Sequence, residues 1–340
     1  NSLRENLKLT LNLPSILKIG HFTGIFLFVI MSSRKEAFCM LRDIVFKKLE
    51  DYEVDTEYSV VVKELKEGEK PSIVSDSMFK TMLFNQNRIK YACKLISYFV
   101  DIPYEELLKN LKFVKNELDK EHLDDSNQRS DFVAFIHGTY INIEMNNNSN
   151  LNYMERNYQY VDKLYGSKIK IGSSKNPNYM PVLQINFNNF ALKGIDKIFD
   201  IYAMRNDEGI LMNDKKIIVQ IYLPNLRKKC YNEGVEKLDE REKFILTMVE
   251  SSIEKATKIA KGFDLMEEYL NESEKVITDI NFGESYDKEL ALKDLGRQEG
   301  EAKSREKIAK NMLKENIDIS VISRVTGLDI ETIQKLKDKN

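Results

Sequence analysis

The stretch that decides the fold spans residues 129–146 and reads Arg-Ser-Asp-Phe-Val-Ala-Phe-Ile-His-Gly-Thr-Tyr-Ile-Asn-Ile-Glu-Met-Asn. Two segments rich in β-branched and aromatic residues flank His137-Gly138, a pair that suits a two-residue hairpin turn. With this pair as the loop, Phe132 faces Ile143 on the partner strand, and the side chains that share their face are all apolar. The sequence therefore predicts a β-hairpin with one face in the core.

The same register predicts two carboxylates on the opposite face, with Asp131 directly across from Glu144. Side chains opposed in this way have Cβ atoms about 5 Å apart, and two charges there repel by about 3 kcal/mol at an effective dielectric near 20. A divalent cation is the simplest compensation, because Mg²⁺ is usually held by carboxylates, water and substrate phosphate. The backbone carbonyl of Met145 is a candidate further ligand, and Asn146 is placed to orient an attacking water. A solvated face neutralised by nearby basic side chains stays open as the alternative.

Apolar spacing predicts the elements on either side of the hairpin. Before it we expect a helix over 34–50 and a charged linker, Glu50–Glu69, with a short strand at Tyr58–Val62. Asp76 is predicted to cap the next helix, and Asn85–Asn87 interrupts that helix, so that two helices fit as well as one. The other predicted elements are a helix over 104–110 opened by Pro103, a helix over 151–171, a strand over 181–187, a hairpin of 197–204 with 216–223, and helices from Glu236 onward.

Composition narrows the class of protein. The chain has 340 residues, 42% of them hydrophobic, which suffices for one large or two ordinary domains with their own cores. Its 52 Lys and Arg nearly balance 54 Asp and Glu, so a histone-like basic protein and an acidic solvating tail are excluded as descriptions of the whole chain. A nucleic-acid-binding surface is therefore expected to be a local patch.

The cysteine content and the absence of several sequence motifs argue against further classes of protein. Cys39, Cys93 and Cys230 are odd in number and far apart in sequence, so they predict neither a disulfide framework nor a zinc knuckle, which fits a reducing cytoplasm. The sequence contains no GxSxG, GxGxxG or GxxxxGK[ST] motif. It therefore gives no indication of a serine hydrolase, a dinucleotide-binding enzyme or a P-loop protein.

The first 30 residues are expected to lie outside the native protein. The first methionine is Met31, and it follows the apolar run Gly24–Ile30. This run is far shorter than the roughly 20 residues that a membrane-spanning helix needs, and no small-x-small cleavage site follows it. We therefore expect Met31 to be the true start, residues 1–30 to come from upstream sequence, and the protein to have no membrane partner.

Asp131, followed after the hairpin by Ile143-Glu144-x-Asn146, resembles the catalytic signature of the PD-(D/E)XK nuclease superfamily. More closely, over about residues 76–338, the chain resembles the recombination-promoting nuclease / putative transposase family of bacteria. The stretches that carry this likeness are Asp76-Ser-Met-Phe-Lys80, Arg129-Ser-Asp131, Ile143-Glu-Met145, Arg156-x-x-x-Tyr160-x-x-Lys163-Leu-Tyr165, Gly172 with Tyr179-Met-Pro181-Val, and 308–314 with 321–333 in the tail.

The resemblance implies an α/β fold, with a restriction-endonuclease-like αβββαβ core and a C-terminal all-helical extension, and metal-dependent cleavage of DNA associated with recombination. Carried over by position, Asp131 and Glu144 would hold Mg²⁺, with Mn²⁺ as the alternative ion. Asn146 stands where the superfamily has Lys and this family often has Gln, and Lys163 or Gln184 could partly substitute. This departure favours a second hypothesis, a degenerate nuclease fold that binds DNA or protein without cutting. A purely structural interaction protein is the third.

Three residues of the helix after the hairpin are predicted to contact DNA. Arg156 and Tyr160 are four residues apart and share a helix face, and Lys163 follows on the next turn. Together with the family pattern, this spacing leads us to expect that these three side chains contact the DNA backbone. Ordinary packing on a helix surface is the alternative.

Four segments are predicted as domains: a 1–70 extension and linker, a 71–235 nuclease-like domain, a 236–302 helical extension, and a 303–340 module. The module reads helix, turn, helix, with the bend at Thr326-Gly327. From Arg297 to Asn340 the chain carries 10 basic and 8 acidic residues, a weaker basic bias than DNA binding normally shows. We therefore expect the module to serve self-association, giving a homo-oligomer, or weak positioning on DNA.

Overall fold

A six-stranded mixed sheet lies at the centre of the described chain. The computed structural model describes residues 51–114, 132–147, 152–166, 180–206 and 208–338, all within the compact unit that begins at Leu49. The predicted helix over 34–50, the proposed start at Met31 and the predicted site residue Asp131 lie outside these ranges. The strands are β1 (Val54–Asp55), β2 (Lys112–Phe113), β3 (Phe132–Ile136), β4 (Thr139–Asn146), β5 (Val182–Asn188), β6 (Ala191–Leu192), β7 (Phe199–Arg205) and β8 (Leu211–Tyr222).

The strand order of the main sheet is β2-β3-β4-β5-β8-β7, and β1 pairs with β6 in a separate two-stranded sheet. Strands β4, β5 and β8 run parallel, and their neighbours are antiparallel. The helices are α1 (Asp76–Leu83), α2 (Ile89–Ser97), α3 (Tyr104–Asn110), α4 (Asn152–Gly166), α5 (Leu223–Glu233), α6 (Glu240–Val249), α7 (Ile253–Ala260), α8 (Asp264–Ile277), α9 (Ile280–Lys314), α10 (Ile319–Thr326) and α11 (Ile330–Asp338).

The predicted hairpin is confirmed as β3 and β4, with Phe132 opposite Ile143. His137 and Gly138 form its turn with φ angles of 45° and 79°, as a two-residue turn with both central residues at positive φ requires. The apolar face is fully buried, and both Phe132 and Ile143 have no exposed surface. Local sequence rules therefore define this element correctly.

The segments before the hairpin differ from prediction in two places. Ser75, and not Asp76, caps α1, because its hydroxyl accepts a hydrogen bond from the backbone N–H of Met78. The predicted strand at Tyr58–Val62 is absent from the described secondary structure. The side chain of Asn189 takes its place as the backbone partner, accepting from the N–H of Val60 and donating to its carbonyl, both at 2.8 Å.

Other boundaries are close to prediction. A 3₁₀ turn over Gln86–Arg88 separates α1 from α2, so the interruption at Asn85–Asn87 does divide two helices. Pro103 is the N-cap residue of α3. The second hairpin is found as β7 and β8, but β8 begins at Leu211 rather than 216, and a bulge after Ala203 shifts its register.

One apolar cluster joins the sheet to helices that come before and after it in the sequence. It contains Ile73 ahead of α1, Ile143 on β4, Phe244 on α6 and Tyr286 on α9. The segments predicted as nuclease-like domain and helical extension therefore share a core, and the domain boundaries stay predictions. A second, smaller cluster lies on the other sheet face, where α4 packs on β4 and β5.

The C-terminal module is built on the end of α9, a helix of 35 residues. Helices α10 and α11 pack against it through a small cluster that includes Ala309, Ile322 and Ile333. Gly327 makes the bend between them in the left-handed conformation, with φ 70°, which glycine adopts without the strain of a Cβ atom. None of the helices in the described ranges has the length and apolar character needed to cross a membrane.

Candidate active site

Buried amide side chains lie on the sheet face beneath α4, from the middle of β4 and β5 to the carboxyl ends of the three parallel strands. The carboxyl halves of β4 and β5 alternate apolar residues, which point to the main core, with polar residues on this face, and β8 adds Gln220. The register aligns Glu144 of β4 with Asn186 of β5 and Gln220 of β8. We call the following residues the amide belt: Asn142, Asn146, Asn157, Gln184, Asn186, Asn188 and Gln220. Open α/β sheets bind ligands at this edge, outside the carboxyl ends of their parallel strands.

The first half of the amide belt holds Glu144. Asn142 Nδ2 donates to Glu144 Oε1 at 3.2 Å and to Gln184 Oε1 at 2.7 Å. Gln184 Nε2 then donates to Asn186 Oδ1 at 2.7 Å. Buried amides are stable only when hydrogen-bonded, so these contacts fix the orientation of each side chain in turn. Gln184 thus has a structural role as the link between Asn142 and Asn186.

The second half of the belt runs through α4 to β8. Asn157 Nδ2, on α4, donates to Asn186 Oδ1 at 3.2 Å and to Asn146 Oδ1 at 2.9 Å. Asn146 Nδ2 donates to Asn188 Oδ1 at 2.8 Å, and Asn188 Nδ2 donates to Gln220 Oε1 at 2.9 Å. Asn146 is therefore a rigid amide with both polar atoms engaged, in a side chain that is 1% exposed.

Glu144 is a carboxylate held by the amide belt, and its side chain is 1% exposed. A buried charge is costly unless it is paired and hydrogen-bonded. Asn142 supplies a hydrogen bond to Oε1, and Nη2 of Arg156 on α4 lies 4.0 Å from Oε2. The described register of the hairpin ends at Phe132 opposite Ile143, one residue short of the predicted pair with Glu144.

Comparison with known families matches residues 73–294 to the PD-(D/E)XK nuclease family transposases. The chain belongs to this family. The match spans more than half of the sequence and includes α1, the hairpin, the amide belt and most of the helices after β8. None of the curated proteins or solved structures compared with the chain gives a significant match.

Membership of the PD-(D/E)XK nuclease family confirms the predicted resemblance and the predicted α/β fold. In chain order, the helices α1 to α3, the strands β2 to β4, helix α4 and strand β5 give the expected αβββαβ arrangement. The helices from α9 to α11 form the expected C-terminal helical region. Divalent metal ions are typical of such nucleases, and DNA is the substrate that the family implies.

The side-chain oxygens at this site are of the kinds that bind a hard divalent cation. Glu144 offers a carboxylate, and the side-chain oxygens of Asn142 and Asn157 are buried without a hydrogen-bond partner in the described ranges. Oxygen donors of these kinds are the ligands that Mg²⁺ takes. The side chain of Met145 packs in the apolar core, which leaves only its backbone carbonyl for a metal. No three His, Cys, Asp or Glu side chains among the described residues form a metal-binding group, and Asp131 lies outside them.

Of the predicted DNA-binding residues, two reach the surface. The Arg156 side chain is 39% exposed, and its guanidinium lies over the ring of Tyr160, 5.6 Å from the centroid. Tyr160 is 2% exposed, so in this structure its buried ring packs beneath the guanidinium of Arg156. Lys163 is half-buried and lies seven residues after Arg156, on the same face of α4.

Sequence reasoning missed most of the amide belt. A signal for it exists, because Asn-Ile-Glu-Met-Asn at 142–146 and Gln-Ile-Asn-Phe-Asn at 184–188 share one alternation of amide or acid with apolar residues. Two parallel strands with that pattern align their polar side chains in rows. Asn157 and Gln220 carry no comparable signal, because only the packed sheet brings them to this face.

Proposed function

We propose that the chain is a metal-dependent DNA endonuclease of the transposase-like type, which hydrolyses phosphodiester bonds in DNA recombination. Mg²⁺ is the proposed ion, with Mn²⁺ as the alternative, and the cytoplasm is the proposed location. The observation that carries the proposal is the buried carboxylate of Glu144, held in a polar belt at the ligand-binding edge of the sheet. Family membership supports the nuclease assignment.

Asp131 is the proposed second metal ligand. The hairpin pairs Phe132 with Ile143, and one more residue of the same register would bring Asp131 opposite Glu144. Two carboxylates at that spacing repel in the absence of a cation. Asp131 and Glu144 would hold a divalent ion, which would supply an activated water and stabilise the charge that develops on the phosphodiester.

The surrounding residues have distinct proposed roles. Asn142 fixes Glu144 through Oε1 and so sets the direction in which Oε2 faces. Asn146, held by Asn157 and Asn188, orients the attacking water through its remaining hydrogen-bonding capacity. Arg156, whose guanidinium lies 4.0 Å from Glu144 Oε2, binds the DNA backbone with Lys163. Guanidinium groups suit this role because they bind phosphate oxygens in a bidentate manner.

A specific observation favours a second candidate function, a DNA- or protein-binding module without cleavage. Asn146 stands where the superfamily has lysine, and an amide brings no positive charge to the developing phosphodiester charge. The belt residues around it are neutral amides. Among the described residues, the cation within ion-pairing distance of Glu144 is then Arg156, which lies on α4.

Plasmid nicking tests the proposed function. The purified chain is expected to nick supercoiled DNA with Mg²⁺ or Mn²⁺, and Asp131→Asn and Glu144→Gln are each expected to lose at least about 100-fold in rate. Lys258→Gln, which changes an exposed lysine of α7 outside the amide belt, is the control and is expected to keep its activity. Equal nicking by the wild type and Asp131→Asn would remove Asp131 from the mechanism. A wild type that binds DNA without nicking, while Asn146→Lys nicks, would establish the second candidate.

A further inference from the structure

A groove of about 740 Å³ lies beside the candidate active site and outside the amide belt. Its walls are the segment 56–66 and the part of α9 from Leu290 to Arg297, and its floor includes Asn147 and Asn189. This volume falls within the range of roughly 300–1,000 Å³ that is usual for ligand pockets. All of its lining residues belong to the described chain.

The wall formed by segment 56–66 is held in place at two points along its length. Asn189 exchanges two hydrogen bonds with the backbone of Val60, and the hydroxyl of Ser59 donates to the Asn189 carbonyl at 2.6 Å. Further along, the hydroxyl of Tyr286 on α9 donates to the carbonyl of Lys63 at 2.8 Å. The groove is therefore a built feature of the fold, because side chains of the sheet edge and of α9 fix its two walls.

Basic side chains outnumber acidic ones along the lining of the groove. Lys63 and Lys66 lie on one wall, and Lys293 and Arg297 lie on the other, against two acids, Glu64 and Asp294. Three of the four cations have an acidic partner: Lys63 binds Glu69, Lys293 binds Glu289, and Arg297 binds Asp294. Lys66 has no carboxylate within ion-pairing distance in the described ranges, and its side chain is exposed.

The groove is continuous with the candidate site. Asn147 follows Asn146 directly, and Asn189 follows Asn188, so the floor begins one residue beyond the amide belt on both β4 and β5. The backbone N–H of Asn189 also donates to the carbonyl of Asn146 at 2.9 Å. A polymer that crosses the carboxyl edge of these strands would enter the groove next.

We propose that this groove binds the sugar–phosphate backbone of one DNA strand as it passes from the active site. The inference rests on the proposed function and adds the path of the substrate. Cations on two facing walls match the phosphates of an extended strand. Val60, Val61 and Val62 offer apolar contact to its sugars and bases, and Val61 is 74% exposed. Contacts of this kind bind DNA without reading its sequence.

DNA binding by a groove variant tests the proposal. We compare the wild type with Lys66→Gln/Arg297→Gln in fluorescence anisotropy with labelled single-stranded DNA, in EDTA so that no metal-dependent cleavage occurs. The variant is expected to bind at least about tenfold more weakly, and the slope of log affinity against log salt is expected to fall by about one to two. Lys258→Gln/Lys197→Gln is the matched control, since it removes two exposed lysines outside the groove.

The outcomes separate this proposal from the proposed function. Nicking by the wild type, with equal DNA affinity and equal salt slope in the groove variant, would overturn the groove proposal and leave the nuclease standing. If the wild type binds DNA without nicking it, and the groove variant alone loses this binding, the groove proposal is supported and the proposed DNA cleavage is overturned. Equal loss in the groove variant and the lysine control would show a general charge effect, which also overturns the groove proposal. Circular dichroism confirms that each variant is folded.

Discussion

At the scale of single residues, the site depends on how a buried carboxylate is held. Glu144 is almost fully buried, and the contact that defines its orientation comes from a neutral amide, Asn142. An amide donor holds one oxygen without neutralising the group, and so leaves the negative charge available to a cation. Residues that orient a metal ligand in this way commonly matter nearly as much as the ligand itself.

Replacing Asn142 tests this role. Asn142→Leu keeps the approximate volume but removes the donor to Glu144, so we expect nicking to fall by about 10–100-fold. The Mg²⁺ concentration needed for half-maximal rate is expected to rise, because the carboxylate loses its fixed orientation. The measurement is the nicking rate across a Mg²⁺ titration, with the melting temperature taken in parallel.

Gln220→Leu is the control for Asn142→Leu, because Gln220 is a belt residue that accepts from Asn188, at the opposite end of the hydrogen-bonded chain from Asn142. The control is expected to lose stability without a change in Mg²⁺ requirement. An unchanged Mg²⁺ requirement in Asn142→Leu would contradict the positioning role of Asn142.

At the scale of elements, a buried lysine joins two segments of the core. Lys70 has no exposed surface, and its backbone N–H donates to the carbonyl of Ser251 at 2.8 Å. Its ammonium lies 3.4 Å from the carbonyl of Met248 and 5.5 Å from the centre of the Tyr269 ring. Burial lowers the pKa of Lys70 to about 7, against the opposing influence of nearby glutamates.

This lysine predicts a pH dependence of stability. The unfolded chain keeps the proton on Lys70 up to about pH 10.4, whereas the folded chain loses it near pH 7. Between these values the unfolded state binds more protons, so the contribution of Lys70 to the free energy of unfolding rises with pH. Lys70→Met is expected to remove this slope and to stabilise the fold by about 2–4 kcal/mol at neutral pH.

Urea unfolding at about pH 6 and about pH 9 measures the effect on both chains. Lys258→Met serves as the control, because its side chain is 69% exposed and its removal should change neither the stability nor the slope. A Lys70→Met chain that is less stable than the wild type at neutral pH, with the same pH slope, would contradict this account.

Short-range rules predict some elements of this fold and miss others for identifiable reasons. The β3–β4 hairpin follows from the turn at His137-Gly138 and from one apolar face, which are local features. The predicted strand at 58–62 fails because Asn189, far away in sequence, satisfies the backbone there. The site divides in the same way: Glu144 is visible in the hairpin, whereas the contribution of Asn157 requires the packing of α4 on the sheet.

At the scale of the whole molecule, the chain combines a large mixed core with a small helical module. Helices α10 and α11 pack mainly against each other and the last part of α9. The module therefore depends on α9. Among the described residues, the main apolar cluster around the sheet contains no residue of α10 or α11. This separation lets the self-association predicted for the module be tested apart from the fold.

Truncation after Glu315 provides that test. The shortened chain is expected to keep the melting temperature of the core and its nicking rate, because the main cluster remains complete. Light scattering on a sizing column is expected to show a smaller oligomer than that of the full chain. Ile322→Asp, which disrupts the module cluster without shortening the chain, should give the same result. An unchanged oligomeric state in both would contradict self-association through the C-terminal helices.

The central claim is that Asp131 and Glu144 share one divalent cation. Electron paramagnetic resonance of free Mn²⁺ tests it directly, because bound ions are lost from the signal of the free ion. We expect the wild-type chain to remove one Mn²⁺ per molecule, and Asp131→Asn and Glu144→Gln each to remove far less while staying folded. Undiminished Mn²⁺ binding in either variant would contradict the account.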